Sequence, residues 1–325
     1  MITPTSQPND EDICQQYAVF EDKDIALGLP VYTSQCGVNI TVLGFSSVTI
    51  SLESFRLIVQ DTPNVLEVSF KGSYVTDGLD SYLAPLSEHC LKLRGLNVSK
   101  LKPSTGDSLK VDVVHFWYLL SKMKCLESLS VHPCCLLPTV IDSLSSEQED
   151  GSSDPPDVDL AAKDSMIEYV KSMSRLRGLD VIDCTFNHDC ACNSSEGLVH
   201  EHLLSIISNL ISLVYLKVEF PFSSYKGIQE LEEMLKIEFS FSPTHNSKGL
   251  EEVLQNCQQL SFLCIDNAKL TLPADPALYS SLTHLFLIGN LMHLTPDFLA
   301  AVAINSKKCL KRFSYNDLMS KDSLL

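Results

Sequence analysis

Four candidate metal ligands lie close together near the middle of the chain. Cys184, His188, Cys190 and Cys192 are all soft ligands, and they fall within nine residues. Zinc binds four such ligands tetrahedrally. The intervening residues here number three, one and one, unlike the spacings of common zinc fingers, so the pattern favours a loop with incidental thiols. We therefore predict no bound metal, and metal binding by these four residues stays open as the alternative.

Two further clusters contain residue types that act in catalysis. His200-Glu201-His202 lies on a predicted helix but lacks the two histidines one turn apart with which zinc proteases hold their metal. His132-Pro133-Cys134-Cys135 places a base beside thiol nucleophiles, yet no nearby acid would orient the histidine. The chain also lacks the glycine-rich phosphate-binding motifs and the G-x-S-x-G nucleophile motif. We expect no enzymatic activity and no cofactor.

Composition narrows the class of protein. The chain has 325 residues, of which 45% are hydrophobic, so global disorder is excluded. Its net charge of −17 argues against nucleic-acid and anionic-membrane partners, because both are polyanions. No apolar run approaches the roughly 20 residues of a membrane-spanning helix, and the start of the chain lacks the features of a signal peptide. Cys90, Cys125, Cys257 and Cys309 lie in or beside apolar runs, as free core thiols do. We expect a cytoplasmic or nuclear protein.

An internal repeat provides the elements that would position any functional side chain. An apolar triplet with the spacing L-x-x-L-x-L recurs nine times, and four of the eight separations between starts fall between 22 and 28 residues. The triplets are Ile40-Leu43-Phe45, Val65-Val68-Phe70, Leu93-Leu96-Val98, Leu126-Leu129-Val131, Leu176-Leu179-Val181, Leu213-Leu216-Val218, Leu260-Leu263-Ile265, Leu282-Leu285-Leu287 and Leu310-Phe313-Tyr315.

The repeat predicts an α/β architecture. The last two residues of each triplet alternate with period two, which indicates a short strand with one buried face. Apolar residues at helical spacing follow several strands, and Thr295-Pro296-Asp297 has the composition of a helix start. Strand, turn and helix in constant order predict a curved parallel sheet on a concave side and helices on a convex side, with about nine irregular repeats stacked on one another.

Several segments resemble the leucine-rich repeat family. Leu282 to Asn290 reproduces its L-x-x-L-x-L-x-x-N core, and Cys257 to Ile265 is similar to the cysteine-containing subtype of F-box/leucine-rich repeat proteins. Val65 to Leu79 is similar to the strand and tail of that subtype. The resemblance implies a non-catalytic protein-interaction module, such as a substrate-recognition subunit of a cullin-type ubiquitin ligase, or an isoform that lacks the F-box. The alternative is a leucine-rich repeat scaffold or regulator unrelated to ubiquitination.

The repeats also define the expected domain boundaries. Residues 1–35 form an N-terminal segment or cap, residues 36–320 the leucine-rich repeat domain, and residues 321–325 a tail. The 39 residues before Ile40 are too few for an F-box followed by a linker, and residues 12–30 lack the leading L-P pattern of an F-box. Residues 143–159 are rich in acids, serine and proline, a composition typical of a disordered insertion.

The concave side of the sheet is the candidate binding surface. In the early strands, the residues that flank the buried positions are small and polar, among them Ser99 and His132. In the later strands, aromatic and aliphatic side chains lie among acids, as in protein-binding hot spots, and Cys264 flanks buried positions on the same side. The alternative is that the insertions fold over this side and bury it. The acids indicate a protein partner with a basic segment. The predicted binding residues are Tyr215, Phe262, Phe286, Ile288, Asp180, Glu219 and Asp266.

Overall fold

The computed structural model describes residues 17–21, 37–104, 111–136, 158–182, 198–219, 248–266, 272–288, 296–306 and 308–316. Its contacts divide the chain into two compact units. Unit 1 comprises Met1–Cys135 and Leu160–Leu176, and unit 2 comprises Leu136–Asp159 and Arg177–Leu325.

Unit 1 is built around parallel strands in the order β1-β2-β4-β6-β8. These strands are β1 (Tyr17–Glu21), β2 (Val42–Ser46), β4 (Glu67–Ser69), β6 (Gly95–Asn97) and β8 (Ser128–Val131). A smaller parallel sheet contains β3 (Thr49–Ile50), β5 (Tyr74–Val75) and β7 (Lys102–Pro103). The helices are α1 (Leu52–Asp61), α2 (Leu79–His89), α3 (Val113–Lys122) and α4 (Val158–Ser172), the last belonging mostly to this unit.

Unit 2 repeats the same arrangement with parallel strands in the order β9-β10-β11-β12-β13. The strands are β9 (Gly178–Val181), β10 (Tyr215–Glu219), β11 (Phe262–Asp266), β12 (His284–Ile288) and β13 (Arg312–Asn316). The helices are α5 (Leu198–Ile207), α6 (Lys248–Asn256) and α7 (Pro296–Ser306), with a 3-10 turn at Pro276–Tyr279. Helix α7 begins at the predicted proline, where the missing N–H costs no hydrogen bond.

The predicted triplets form the core. Every residue of the first eight triplets is at most 2% exposed. Since side chains alternate along a strand, the residues between them point to the opposite side, which we name the open side of the sheet. Both units therefore have the α/β architecture of a leucine-rich repeat solenoid, as the sequence predicted. No single unit of strand and helix could bury its apolar face alone, so stacking of successive repeats supplies the core.

An aromatic cluster joins strands to helices in unit 1. Phe45 of β2 packs against Phe55 of α1, with ring centroids 5.9 Å apart, and stacks on Phe70 at 5.4 Å. The Tyr82 ring of α2 lies 5.4 Å from Phe55, and its hydroxyl donates to the Ile50 carbonyl at 2.6 Å. One buried tyrosine thus joins α2 to the strand before α1 by packing and by a hydrogen bond.

The repeat cysteines have a specific packing role. The Cys90 thiol, which follows α2, donates to the Thr62 carbonyl of the preceding repeat at 3.7 Å. The Cys257 thiol, which follows α6, donates to the Leu210 carbonyl at 3.4 Å. Both cysteines are at most 1% exposed. Each thiol adds a second donor to a carbonyl that already accepts a backbone N–H, and it fills little volume.

Three features differ from the sequence-based expectation or lie beyond it. Strand β1 lies inside the predicted N-terminal segment, where no triplet indicated a strand, and it pairs with β2. Phe313 is 37% exposed although its position in the last triplet predicted burial, because β13 has a neighbour on one side only among the described strands. Most of the acidic insertion at 143–159 lies outside the described residues, as does the tail at 321–325. Among the described residues, no helix combines the length and apolarity needed to span a membrane.

Candidate protein-binding surface

Register in unit 2 aligns the open-side residues into rows that run across the strands. The first row contains Gly178, Tyr215, Phe262, His284 and Arg312. The second row contains Asp180, Lys217, Cys264, Phe286 and Ser314. Because neighbouring strands lie about 4.8 Å apart, side chains in one row are close enough to contact one another.

The centre of this surface is a set of packed rings, which we name the aromatic face: Tyr215, Phe262, His284 and Phe286. Tyr215 stacks on Phe262 with centroids 4.5 Å apart and planes inclined by 16°. Phe262 in turn lies 5.3 Å from Phe286 and 6.0 Å from His284. All four side chains are partly exposed. The rings are therefore held in place by one another and by the strands, and each still offers surface to a ligand.

Acidic groups border the aromatic face on the side of β9 and β10. The Tyr215 hydroxyl donates a hydrogen bond to the Asp180 carboxylate. Partial burial raises the pKa of Tyr215 above its usual value, and the Asp180 charge adds to this effect. The Lys217 ammonium donates to the Glu219 carboxylate on the same strand. That hydrogen bond raises the pKa of Lys217, against the opposing effect of burial. Asp180, Lys217 and Glu219 together therefore carry one net negative charge, and we name them the acidic flank.

An arginine borders the aromatic face on the opposite side. The Arg312 guanidinium of β13 lies over the Phe286 ring, 5.2 Å from its centroid. This geometry is a cation–π contact, which holds the charged group against the rings while leaving it in water. Arg312 is exposed. Among the described residues it takes part in no ion pair.

The structure brings together most of the predicted binding residues. Tyr215, Phe262 and Phe286 form the packed rings, and Asp180 and Glu219 lie in the acidic flank. Ile288 lies at the end of β12 and is partly exposed. Asp266 is placed opposite both Glu219 and Ile288 by strand register, while its side chain lies outside the described part of the structure.

One residue of the surface was not predicted from the sequence, and another is on the predicted side of the sheet but less exposed than expected. Arg312 was not among the predicted residues, although the last triplet places it at the same flanking position as Tyr215 and Phe262. Cys264 was expected on the open side, but it is only 4% exposed. Its row neighbours Lys217 and Phe286 are longer side chains on both adjacent strands, and a small residue between them is covered.

The open side of unit 1 differs in chemistry. Gly44, Ser69, Asn97 and Ser130 are partly exposed, small and polar, and no ring lies among them. Ser99 was also expected there, but it is 0% exposed. The Asn97 side chain accepts hydrogen bonds from the Ser99 amide at 3.0 Å and its hydroxyl at 2.7 Å, which turns the chain inward.

The candidate catalytic pair at the end of β8 is withdrawn from solvent. His132 was expected on the open side, but it is 7% exposed, and Cys135 is 0% exposed. Burial lowers the pKa of His132 to about 4, so the ring is neutral at physiological pH. His132 and Cys135 are therefore not accessible to a substrate, while the side chain of Cys134 lies outside the described part of the structure.

The other candidate metal-binding and catalytic residues lie outside the described part of the structure. Cys184, His188, Cys190 and Cys192 lie outside the described residues, as do the side chains of His200, Glu201 and His202. The described residues themselves contain no group of three or more His, Cys, Asp or Glu side chains that could hold a metal ion. Insertions that could cover the aromatic face also lie largely outside the described ranges, so that alternative stays open.

Comparison with known proteins gives structural similarity alone. No protein-family model and no curated protein matches the chain. Among solved structures, 101 chains match. Internalin C2 from Listeria monocytogenes is 14% identical, with 92% of this chain and 94% of the internalin covered and a TM-score of 0.47. A second internalin of that species is 16% identical, with coverages of 90% and 77% and a TM-score of 0.29. The fold rests on the chain's own repeats and strand topology, and the similarity assigns no function.

Proposed function

We propose that this chain is a non-catalytic protein-recognition module that binds its partner through the aromatic face of unit 2. The observation that carries the proposal is the continuous packing of Tyr215, Phe262, Phe286 and His284 on an open sheet side, all of them partly exposed. Large rings surrounded by charged groups are the usual hot spots of protein interfaces, because they bury much area at little entropic cost.

The finer proposal is substrate recognition for a cullin-type ubiquitin ligase. Its support is the resemblance of Cys257 to Ile265 and of Val65 to Leu79 to cysteine-containing F-box/leucine-rich repeat proteins. The packing of Cys90 and Cys257 explains physically why such repeats contain cysteine, but the same packing would serve a scaffold equally well. We place the module in the cytoplasm or nucleus, where free thiols persist.

Co-purification from cells tests both levels of the proposal. The tagged full chain is compared with Phe262→Ala/Phe286→Ala and with the matched control Ser69→Ala/Ser130→Ala, which alters the open side of unit 1. We expect one or more proteins to be recovered with the wild type and the control and lost with the aromatic variant. Cullin components among them support the ligase role, and their absence favours the scaffold. Retention of every partner by a folded aromatic variant would contradict binding through this face.

A further inference from the structure

The aromatic face lies between opposite charges, which constrains the chemistry of its ligand. The acidic flank lies on β9 and β10 and carries one net negative charge, while Arg312 lies on β13. In the first row, Tyr215, Phe262 and His284 occupy the three strands before Arg312. The surface is thus a track that is negative at one end, aromatic in the middle and positive at the other.

The length of this track matches a short extended peptide. From β9 to β13 there are four strand-to-strand steps of about 4.8 Å, or about 19 Å in total. An extended chain advances about 3.3 Å per residue, so about six residues cross the track perpendicular to the strands. A folded domain would contact the same rings, but it would not fix the separation of two charges along its sequence.

We propose that the ligand of the aromatic face is an extended protein segment of mixed charge, with a Lys or Arg about six residues from an Asp or Glu and apolar residues between them. This inference rests on the proposed function and specifies its partner. The basic residue of the segment lies at Asp180, the apolar residues lie on the rings, and the carboxylate pairs with Arg312. The partner is therefore not simply basic, because Lys217 already neutralises Glu219 and Arg312 repels a second cation.

Arg312 is suited to this role by its contact with Phe286. The ring restrains the guanidinium, so less side-chain freedom is lost when a carboxylate binds. A guanidinium also pairs with a carboxylate through two parallel hydrogen bonds. This pairing would hold the acidic residue of the segment at Arg312 and so fix the direction in which the segment binds. Asp180 is likewise oriented, because it accepts the Tyr215 hydroxyl.

A phage-displayed library of random twelve-residue peptides, selected against the immobilised full chain, tests the inference. We expect enriched peptides to contain a basic and an acidic residue about six positions apart, with apolar residues between them. Arg312→Gln should lower the affinity for these peptides about tenfold and remove the preference for an acidic residue. Arg312→Glu should instead select peptides with a second basic residue at the position of the acidic one. The matched control Lys311→Gln changes an adjacent exposed cation and should leave the selection unchanged.

The outcomes separate this inference from the proposed function. One contrary result is that the selected peptides lose binding to Phe262→Ala and yet contain no paired charges. Another is that they lose binding to Phe262→Ala but bind Arg312→Gln as well as the wild type. Either result overturns the inference of a mixed-charge ligand and leaves the aromatic face as a binding site. Peptides that are indifferent to Phe262→Ala as well count against both. Selection of no peptide overturns the inference, which requires a short linear ligand, while co-purification with the aromatic variant decides the proposed function independently.

Discussion

Tyr215 and Phe262 are register partners on adjacent parallel strands, and their rings stack 4.5 Å apart although they are 47 positions apart in sequence. The strands fix both Cα atoms, so the stack is held by backbone pairing as well as by ring contact. Because these rings are already fixed, they lose little side-chain freedom when a partner binds, and the surface is therefore preorganised.

Strand phase in unit 2 predicts that an aspartate is not tolerated at position 285 but is tolerated at the adjacent position 284. Leu285 is 1% exposed, so Leu285→Asp should destabilise unit 2 by more than about 4 kcal/mol, since it removes core contacts and buries an unpaired charge. His284 is partly exposed on the open side, so His284→Asp should cost less than about 1 kcal/mol. Circular dichroism melts of the two variants measure the difference. Equal losses would show that the two side chains do not lie on opposite sides of β12.

The Tyr82 hydroxyl is expected to contribute measurably to unit 1. Besides donating to the Ile50 carbonyl at 2.6 Å, it accepts the Thr76 amide at 3.3 Å. Tyr82→Phe keeps the ring packing and leaves both backbone groups without this partner, so we expect a loss of about 1–2 kcal/mol. Chemical denaturation gives the value, with Tyr118→Phe on the helical surface as the control. A loss no larger than that of the control would mean that these backbone groups find other partners.

The stability of the chain should fall on the acid side because of His132. Its pKa is lowered to about 4 in the folded chain by burial, below the ordinary value near 6.5. The unfolded chain therefore binds more protons between these values, so stability is fully present above about pH 6.5 and is lost as the pH falls toward 4. The contribution is at most about 3 kcal/mol.

Melting temperatures between pH 7.5 and 4.5 measure this effect. In His132→Gln the decrease across that range should be smaller than in the wild type, whereas His115→Gln, which changes an exposed histidine, should follow the wild type. An unchanged pH dependence in His132→Gln would contradict the burial of a neutral imidazole at the end of β8.

The local sequence pattern was enough to predict the fold, because the residues that repeat are the ones that become buried. Triplets such as Leu213-Leu216-Val218 and Leu260-Leu263-Ile265 specify which side of a strand is buried, independently of any distant residue. Strand β1 was missed because its sequence carries no such triplet. The exposure of Phe313 depends on which strands neighbour β13, and a triplet carries no information about its neighbours.

The site was only partly predictable because it depends on contacts between distant segments. Strand phase correctly assigned Tyr215, Phe262 and Phe286 to the open side. The coverage of Cys264 depends on the length of its row neighbours in the adjacent strands, and these follow from register between segments far apart in sequence. The pairing of Lys217 with Glu219 depends on side-chain conformation, so the net charge of the acidic flank could not be read from composition.

The most direct test of binding through the aromatic face is the dissociation constant of a recovered partner, measured by calorimetry with purified proteins. Truncating central aromatic residues typically costs about 2 kcal/mol or more, so Phe262→Ala/Phe286→Ala should weaken binding by at least about 30-fold. Ser69→Ala/Ser130→Ala should change it by less than about twofold, because those residues lie on unit 1. A folded aromatic variant that binds with the wild-type constant would contradict the account and place the binding site elsewhere on the chain.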